Sequence, residues 1–155
     1  MTSDPLSLRG RLGSQVWQTA RQWRRSVDRR LHPFGLTEAT WLPLLKLSRA
    51  AAPLRQKDLA SALCLDSSSV VRLLDSLEAA GLVIRQEEDG DRRAKVIMLT
   101  EQGRSTVDQV EAVAREVRDE ALLGLSDADV VTALHVLDHV HSRLAASEPG
   151  STDGD

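Results

Sequence analysis

The chain has 155 residues, with 20 basic and 23 acidic side chains and a formal net charge of −3. That length suits one domain with a substantial core and room for a dimerising appendage. It holds no run of about 18 apolar residues, which excludes a transmembrane helix, and no basic-then-apolar leader opens it. With three Trp, one Phe and no Tyr it offers little for a platform on which single-stranded bases would stack.

The charge is polarised: residues 1–35 hold seven basic and two acidic side chains, residues 105–155 three basic and eleven acidic. Such polarity permits a nucleic-acid partner without arguing for one, since a charge run is ordinarily a solvated helix face. Residues 1–10 read as a flexible N-terminus. From Arg11 to Leu31 the apolar positions Leu12, Val16, Ala20, Trp23, Val27 and Leu31 recur every three or four residues, so a long amphipathic helix is expected. His32-Pro33-Phe34-Gly35 ends it, because the residue before proline avoids helical backbone. Thr37 then reads as the cap of a second helix running to about Ala50, with Trp41, Leu44, Leu45 and Leu47 inward and Pro43 inside the pattern. These N-terminal helices, residues 11–53, are assigned to dimerisation and core.

Residues 54–100 carry a different pattern. Leu54 and Arg55 could form a short strand, and Gln56 to Leu63 a short helix with Arg55 where a Ser or Thr cap would be preferred. The stretch DSSSVVRLLDSLEAAG opens on Asp66 or Ser67 as a cap and closes at Gly81, where a left-handed residue is favoured. Val70, Leu73, Leu74 and Leu77 form its apolar face; Ser68, Ser69, Arg72, Asp75 and Ser76 lie opposite. Two β-branched runs follow, LVIRQ and AKVIMLT, separated by EEDGDRR with its Asp-Gly turn signal. A helix, a turn, a second helix and a charged hairpin make a winged helix-turn-helix. Its second helix would enter a major groove and its wing the adjacent minor groove.

After the wing, Thr100 caps a long helix from Glu101 to about Leu123 with Val107, Val110, Val113 and Val117 along its seam, and Gly124 stops it. Ser126-x-x-Asp129 opens a last helix, to about Ala146, that is apolar on more than one side. The C-terminal dimerisation helices thus span residues 101–146, and 147–155 read as a disordered tail. The fold class is mainly α with a small β-wing: a winged helix-turn-helix embedded in a helical dimerisation region, about six helices with a two- to three-stranded antiparallel sheet. The small module cannot bury every helical stripe, so an isologous homodimer is expected, reading a palindromic site.

Leu59-Ala60 followed by SSSVVRLLDSLEAAGLVIRQEEDGDRRAKVIMLTEQG resembles the MarR family of winged-helix regulators. LGSQVWQTARQWRRSVDRRLHPFGLT and the DRRAK wing resemble its SlyA-type subgroup, and the likeness runs over roughly residues 10–145. It implies a cytoplasmic homodimeric transcription regulator, commonly a repressor, acting on double-stranded DNA. Ser67, Ser68, Ser69 and Arg72 match major-groove positions. Arg92 and Arg93 would reach the minor groove, with Asp91 holding an Arg in pose. The resemblance also implies a small aromatic carboxylate effector, for which Trp17, Arg21, His32 and Trp41 are the candidate site residues, beside Trp23, Arg25 and Arg29. Arg55 departs from the family's Thr or Ser cap.

Blander readings stand beside these. Arg92 and Arg93 could be a solvated turn balanced by Glu87, Glu88, Asp89 and Asp91, and the tryptophans could simply fill the core. The single cysteine, Cys64, fits a reducing compartment and reads as a small buried hydrophobe rather than a redox switch. His135 and His139 have zinc-compatible spacing, but a helix at a dimer seam explains them as well, so no metal, cofactor or catalytic residue is assigned. A winged helix used for protein–protein assembly is the alternative function. An enzyme is disfavoured because no nucleophile elbow, phosphate loop or zinc pattern accompanies the Ser, His and Asp present.

Overall fold

The computed structural model describes the backbone of residues 5–88 and 91–147 and the side chains of 8–87 and 95–147. The chain forms two compact units, one ending at Arg118 and the other beginning at Asp119. Among the described residues there are six α-helices: α1 (Pro5–Leu31), α2 (Glu38–Arg49), α3 (Gln56–Leu63), α4 (Ser67–Ala79), α5 (Glu101–Ala121) and α6 (Asp127–Ala145). Strands β1 (Leu54–Arg55), β2 (Val83–Glu88) and β3 (Asp91–Leu99) form an antiparallel sheet in the order β1-β3-β2. The expected fold class is the observed one: a winged helix within a helical body. No described helix is long and apolar enough to cross a membrane.

Helix α1 begins at Pro5 rather than Arg11. Proline suits a first helical position, where its missing N–H would have no partner in any case. The helix ends in a 3₁₀ turn, His32–Phe34, closed by Gly35 at φ 74°. Pro43 sits buried within α2, where it has no N–H to donate to a carbonyl of the preceding turn. At α3 the expected weak cap is observed: the Arg55 side chain makes no cap bond, and Asp58 reaches back to the Arg55 backbone N–H at 3.3 Å.

Two apolar clusters hold the first unit together. One joins Leu59 and Ala60 of α3, Val70, Leu74 and Leu77 of α4, and Leu82, Val83 and Ile97 of the wing base to Leu44 of α2 and Val107 of α5. The other joins Val27 and Leu31 of α1, Trp41 and Leu45 of α2, and Val110, Val113 and Val117 of α5. Helices α2 and α5 therefore belong to both. Each fully buried Leu contributes about 1.5–3 kcal/mol by leaving water.

Cys64 is exposed, not buried as the sequence suggested. It closes α3 in the left-handed region at φ 53°, and the Leu65 N–H bonds the Ala60 carbonyl at 2.9 Å. The demand of the last helical carbonyls for N–H donors, not packing, sets the conformation there. The α1 stripe divides along its length: Val27 and Leu31 are buried, while Leu12 and Val16 are exposed. Helix α6 has the Ser126–Asp129 capping box, and none of its residues is buried.

The wing returns to the helices through Thr100. Its hydroxyl donates to the Gly81 carbonyl at 2.6 Å and accepts the Gly103 N–H at 2.9 Å, while its own N–H bonds Leu82 O at 3.1 Å. Gly81 has φ 72°, and Gly103 is buried so tightly that an added Cβ would collide with the Leu82 carbonyl oxygen. A backbone atom cannot swing away as a side chain can. Gly103→Ala should therefore cost about 1–3 kcal/mol of stability, the usual range for overpacking. Urea unfolding at fixed protein concentration measures the shift.

Candidate nucleic-acid interface

The exposed face of α4 begins at its cap. Asp66 accepts the Ser68 hydroxyl at 2.7 Å, the Ser69 N–H at 2.8 Å and the Ser69 hydroxyl at 2.9 Å. Donation by the Ser68 hydroxyl, then by the Ser69 N–H and hydroxyl, lowers the carboxyl pKa to about 2. Both hydroxyl hydrogens are thus given to Asp66, and what Ser68 and Ser69 have left to offer is acceptor oxygen. Ser67, Ser68 and Arg72 are exposed and Ser69 half-buried. Arg72 forms no ion pair with any described residue, and Ser76 donates back to the Arg72 carbonyl at 3.0 Å. Small hydroxyls around one cation leave this face open to close approach by a polar surface.

The wing hairpin pairs in the register Val83↔Leu99, Ile84↔Met98 and Arg85↔Ile97, with an irregularity between Glu87 and Glu88. Asp91, Arg92 and Arg93 belong to β3 by their backbone, so the strand reaches further toward the turn than the AKVIMLT run suggested. Their side chains, and the expected Asp89-Gly90 turn, lie outside what the structure describes.

One residue that pattern reading passed over joins these parts. Arg85 on β2 donates to Glu78 Oε2 at 2.9 Å and to Asp75 Oδ1 at 2.6 Å, and its backbone N–H bonds Glu78 Oε1 at 3.2 Å. Asp75, assigned from the sequence to an open helix face, is therefore engaged with the wing. The available signal was the alternation of β2: Arg85 shares a face with buried Val83, an odd place for a charge without a partner.

The four proposed effector residues are not brought together. Trp17 is 75% exposed on the outer part of α1, and Arg21 and His32 are exposed. Trp41 is buried, with its indole N–H donating to Asp28 at 3.1 Å. Of the four it alone lines a cavity of about 290 Å³, beside Trp23, Arg24, Val27, Leu42, Leu45, Arg49, Ala114 and Arg118. Trp17 lies about 9 Å from Trp23 along the helix axis at 1.5 Å per residue. Arg49 makes a two-pronged pair with Glu111, both contacts 2.9 Å. The guanidinium fork lowers the Glu111 pKa, and Glu111 in turn raises that of Arg49. The His135 and His139 side chains are exposed on α6, and no cluster of three metal-ligating groups occurs among the described residues.

The family model described as "MarR family" matches residues 36–95, which span α2 to β2 and the first five residues of β3. The crystal structure of transcriptional regulator PA3341 is 37% identical, with a TM-score of 0.83 over 87% of this chain and 98% of its own. The chain belongs to the MarR family. A MarR-family transcriptional regulator from Rhodococcus sp. RHA1 is 28% identical over 86% of this chain and 94% of its own, with a TM-score of 0.73. CouR from Rhodococcus jostii RHA1, solved with p-coumaroyl-CoA bound, is 29% identical over 83% of this chain and 90% of its own, with a TM-score of 0.74. MarR-family proteins are transcriptional regulators and not enzymes, and this chain is one of them. In this MarR-family chain, the matched region carries the α4 face and the wing described above.

Asp66 makes the α4 tip sensitive to strong acid alone. Its folded pKa lies below the ordinary 3.8, so its stabilisation is complete above about pH 4 and is lost as pH falls toward 2. Asp66→Ala should lower the melting temperature by a constant amount from pH 7 to about pH 5, and the gap should close in stronger acid. Asp66→Asn keeps an acceptor for the Ser69 N–H and should retain most of the wild-type stability. Thermal melts across pH read both.

Proposed function

We propose that this MarR-family chain is a homodimeric repressor that binds a palindromic, A·T-rich operator through the helix at 67–80 and the wing at 85–97. The observation that carries the reading is the exposed Ser67-Ser68-Ser69…Arg72 face of α4, set beside a hairpin that begins with Asp91, Arg92 and Arg93 on its return strand. Arg72 would contact the major groove edge or a phosphate, the serines would approach base edges, and Arg92 and Arg93 would enter the narrow minor groove, where the negative potential is enhanced. The overall charge of −3 does not oppose this, because affinity would come from where the cations sit. The LGSQVWQTARQWRRSVDRRLHPFGLT stretch and the DRRAK wing favour the SlyA-type subgroup.

The homodimer is supported by apolar surface on helices that lack a cover. Leu8, Leu12, Val16 and Trp17 on α1 are exposed, as are Val131, Leu134, Leu137 and Leu144 on α6. Exposed apolar faces of that character, one on each unit, favour a second copy over water.

Selection of bound sequences from random duplex DNA tests the reading. The expected outcome is a two-fold symmetric consensus with A·T-rich flanks, bound with an affinity that falls steeply as salt rises. Arg93→Ala should weaken binding to that site roughly ten-fold or more. Failure to enrich any symmetric site, with no salt dependence, would instead favour a protein-assembly role for the wing.

A small aromatic acid would relieve binding from the cavity between Trp23 and Trp41, with Arg24, Arg49 or Arg118 near enough to meet its carboxylate. About 290 Å³ is at the lower end for small-molecule sites. CouR, solved with p-coumaroyl-CoA, is a relative whose ligand carries an aromatic acyl group. Salicylate or p-coumarate should quench tryptophan fluorescence and lower operator affinity together, and Trp41→Phe should weaken both effects. Quenching that persists unchanged in Trp41→Phe would remove the effector from this cavity.

A further inference from the structure

We infer that Arg85 is a positioning residue that fixes the pitch of the wing against α4, so that helix and hairpin read DNA as one rigid unit. The inference rests on the DNA-reading proposal and names the residue that sets its geometry.

Arg85 occupies a position that apolar alternation would give to a Val or Ile, two residues after buried Val83 and opposite buried Ile97. Its guanidinium instead contacts α4 along one stripe. One nitrogen meets Glu78 at 2.9 Å; the other meets Asp75 at 2.6 Å and the Val71 carbonyl at 3.5 Å. Positions 71, 75 and 78 lie at i, i+4 and i+7, so the planar fork lies along almost two turns of the helix. The side chain is 21% exposed, which leaves these charges less screened than an ordinary surface pair. Glu78 also takes the Arg85 backbone N–H, so both side chain and strand are tied to the helix.

The mechanical consequence follows from where the second anchor lies. Thr100 pins the hairpin at its base through Gly81 and Leu82. Further out, β1 holds the β3 edge, with Leu54 opposite Ile97, and Arg85 holds the β2 edge at that same level to α4; without Arg85 the ribbon beyond could tilt about the β1 contact. From Arg85 to Glu88 the strand runs about 10 Å at 3.3 Å per residue, so a 10° tilt would move that end by about 2 Å. Such a shift is enough to lose a groove contact. Asp75 is also one turn from Arg72, so the clamp abuts the face proposed to read bases.

The test uses full-length protein and the selected palindrome, together with a version carrying one added base pair between the α4-contacted core and the A·T flank of each half-site. The wild type should lose roughly ten-fold on the altered spacing. Arg85→Gln should bind the two spacings within about three-fold of each other, because a wing free to tilt can meet both. Asp75→Ala, which leaves Glu78 in place, should fall between and serves if Arg85→Gln does not fold. Any loss of folded protein cancels in the ratio of the two affinities, so a purely structural role would leave the ratio at its wild-type value. A wild-type ratio in the folded variants, or equal wild-type affinity for both spacings, overturns the inference. A wild type that binds no duplex DNA overturns the DNA reading itself, and this inference with it.

Discussion

A single hydroxyl, that of Thr100, carries the junction between wing and helical body. It gives its hydrogen to Gly81, which holds a left-handed backbone, and takes one from Gly103, where backbone passes backbone without room for a side chain. Around that junction α4 ends, β2 begins, β3 returns and α5 starts. The placement of the wing against α4 is therefore referred to one short hydrogen-bonded relay. A larger residue at 103 or an apolar one at 100 would disturb four elements together.

The electrostatics of the surface follow from partners more than from totals. Acidic residues outnumber basic ones over the chain, yet Asp66 is occupied by serine donors, Asp75 and Glu78 by Arg85, and Glu111 by Arg49. Carboxylates engaged in this way act locally, holding helix ends and strand pitch. Arg72 is the cation on the α4 face that no described partner engages.

Much of this was legible in the sequence. The edges of α3 and α4, the valine seam of α5 and the Ser126 cap follow from periodicity and capping chemistry, which act over a few residues. The short β1 strand was also readable, as Leu54-Arg55 between a break and a helix. What escaped was whatever depended on distant pairing. Arg85 finds Asp75 and Glu78 across a strand and a helix, and no local rule names that contact. Cys64 looked apolar between two leucines, but a helix end there required a left-handed residue and turned it outward. The proposed effector residues were grouped by chemistry, and helix geometry then kept Trp17 apart from Trp41 while bringing Trp23 in. The α4 serines were identified, but their commitment to Asp66 needed side-chain geometry.

Leu44 and Leu45 are neighbours in sequence, and they face different clusters: Leu44 belongs to the winged-helix core and Leu45 to the core beside α1. One peptide bond separates the two interiors, and buried Pro43 stands just before it. Along α5, Val107 and Val110 divide in the same way, one turn apart. Both cores are packed on the same two helices, α2 and α5, so the melting of one would remove support from the other. Substitutions in the two clusters should consequently couple rather than add, because each shifts a helix the other is packed on. The winged-helix module of this chain is thus not a detachable part: its order is borrowed from, and lent to, the helices packed against it.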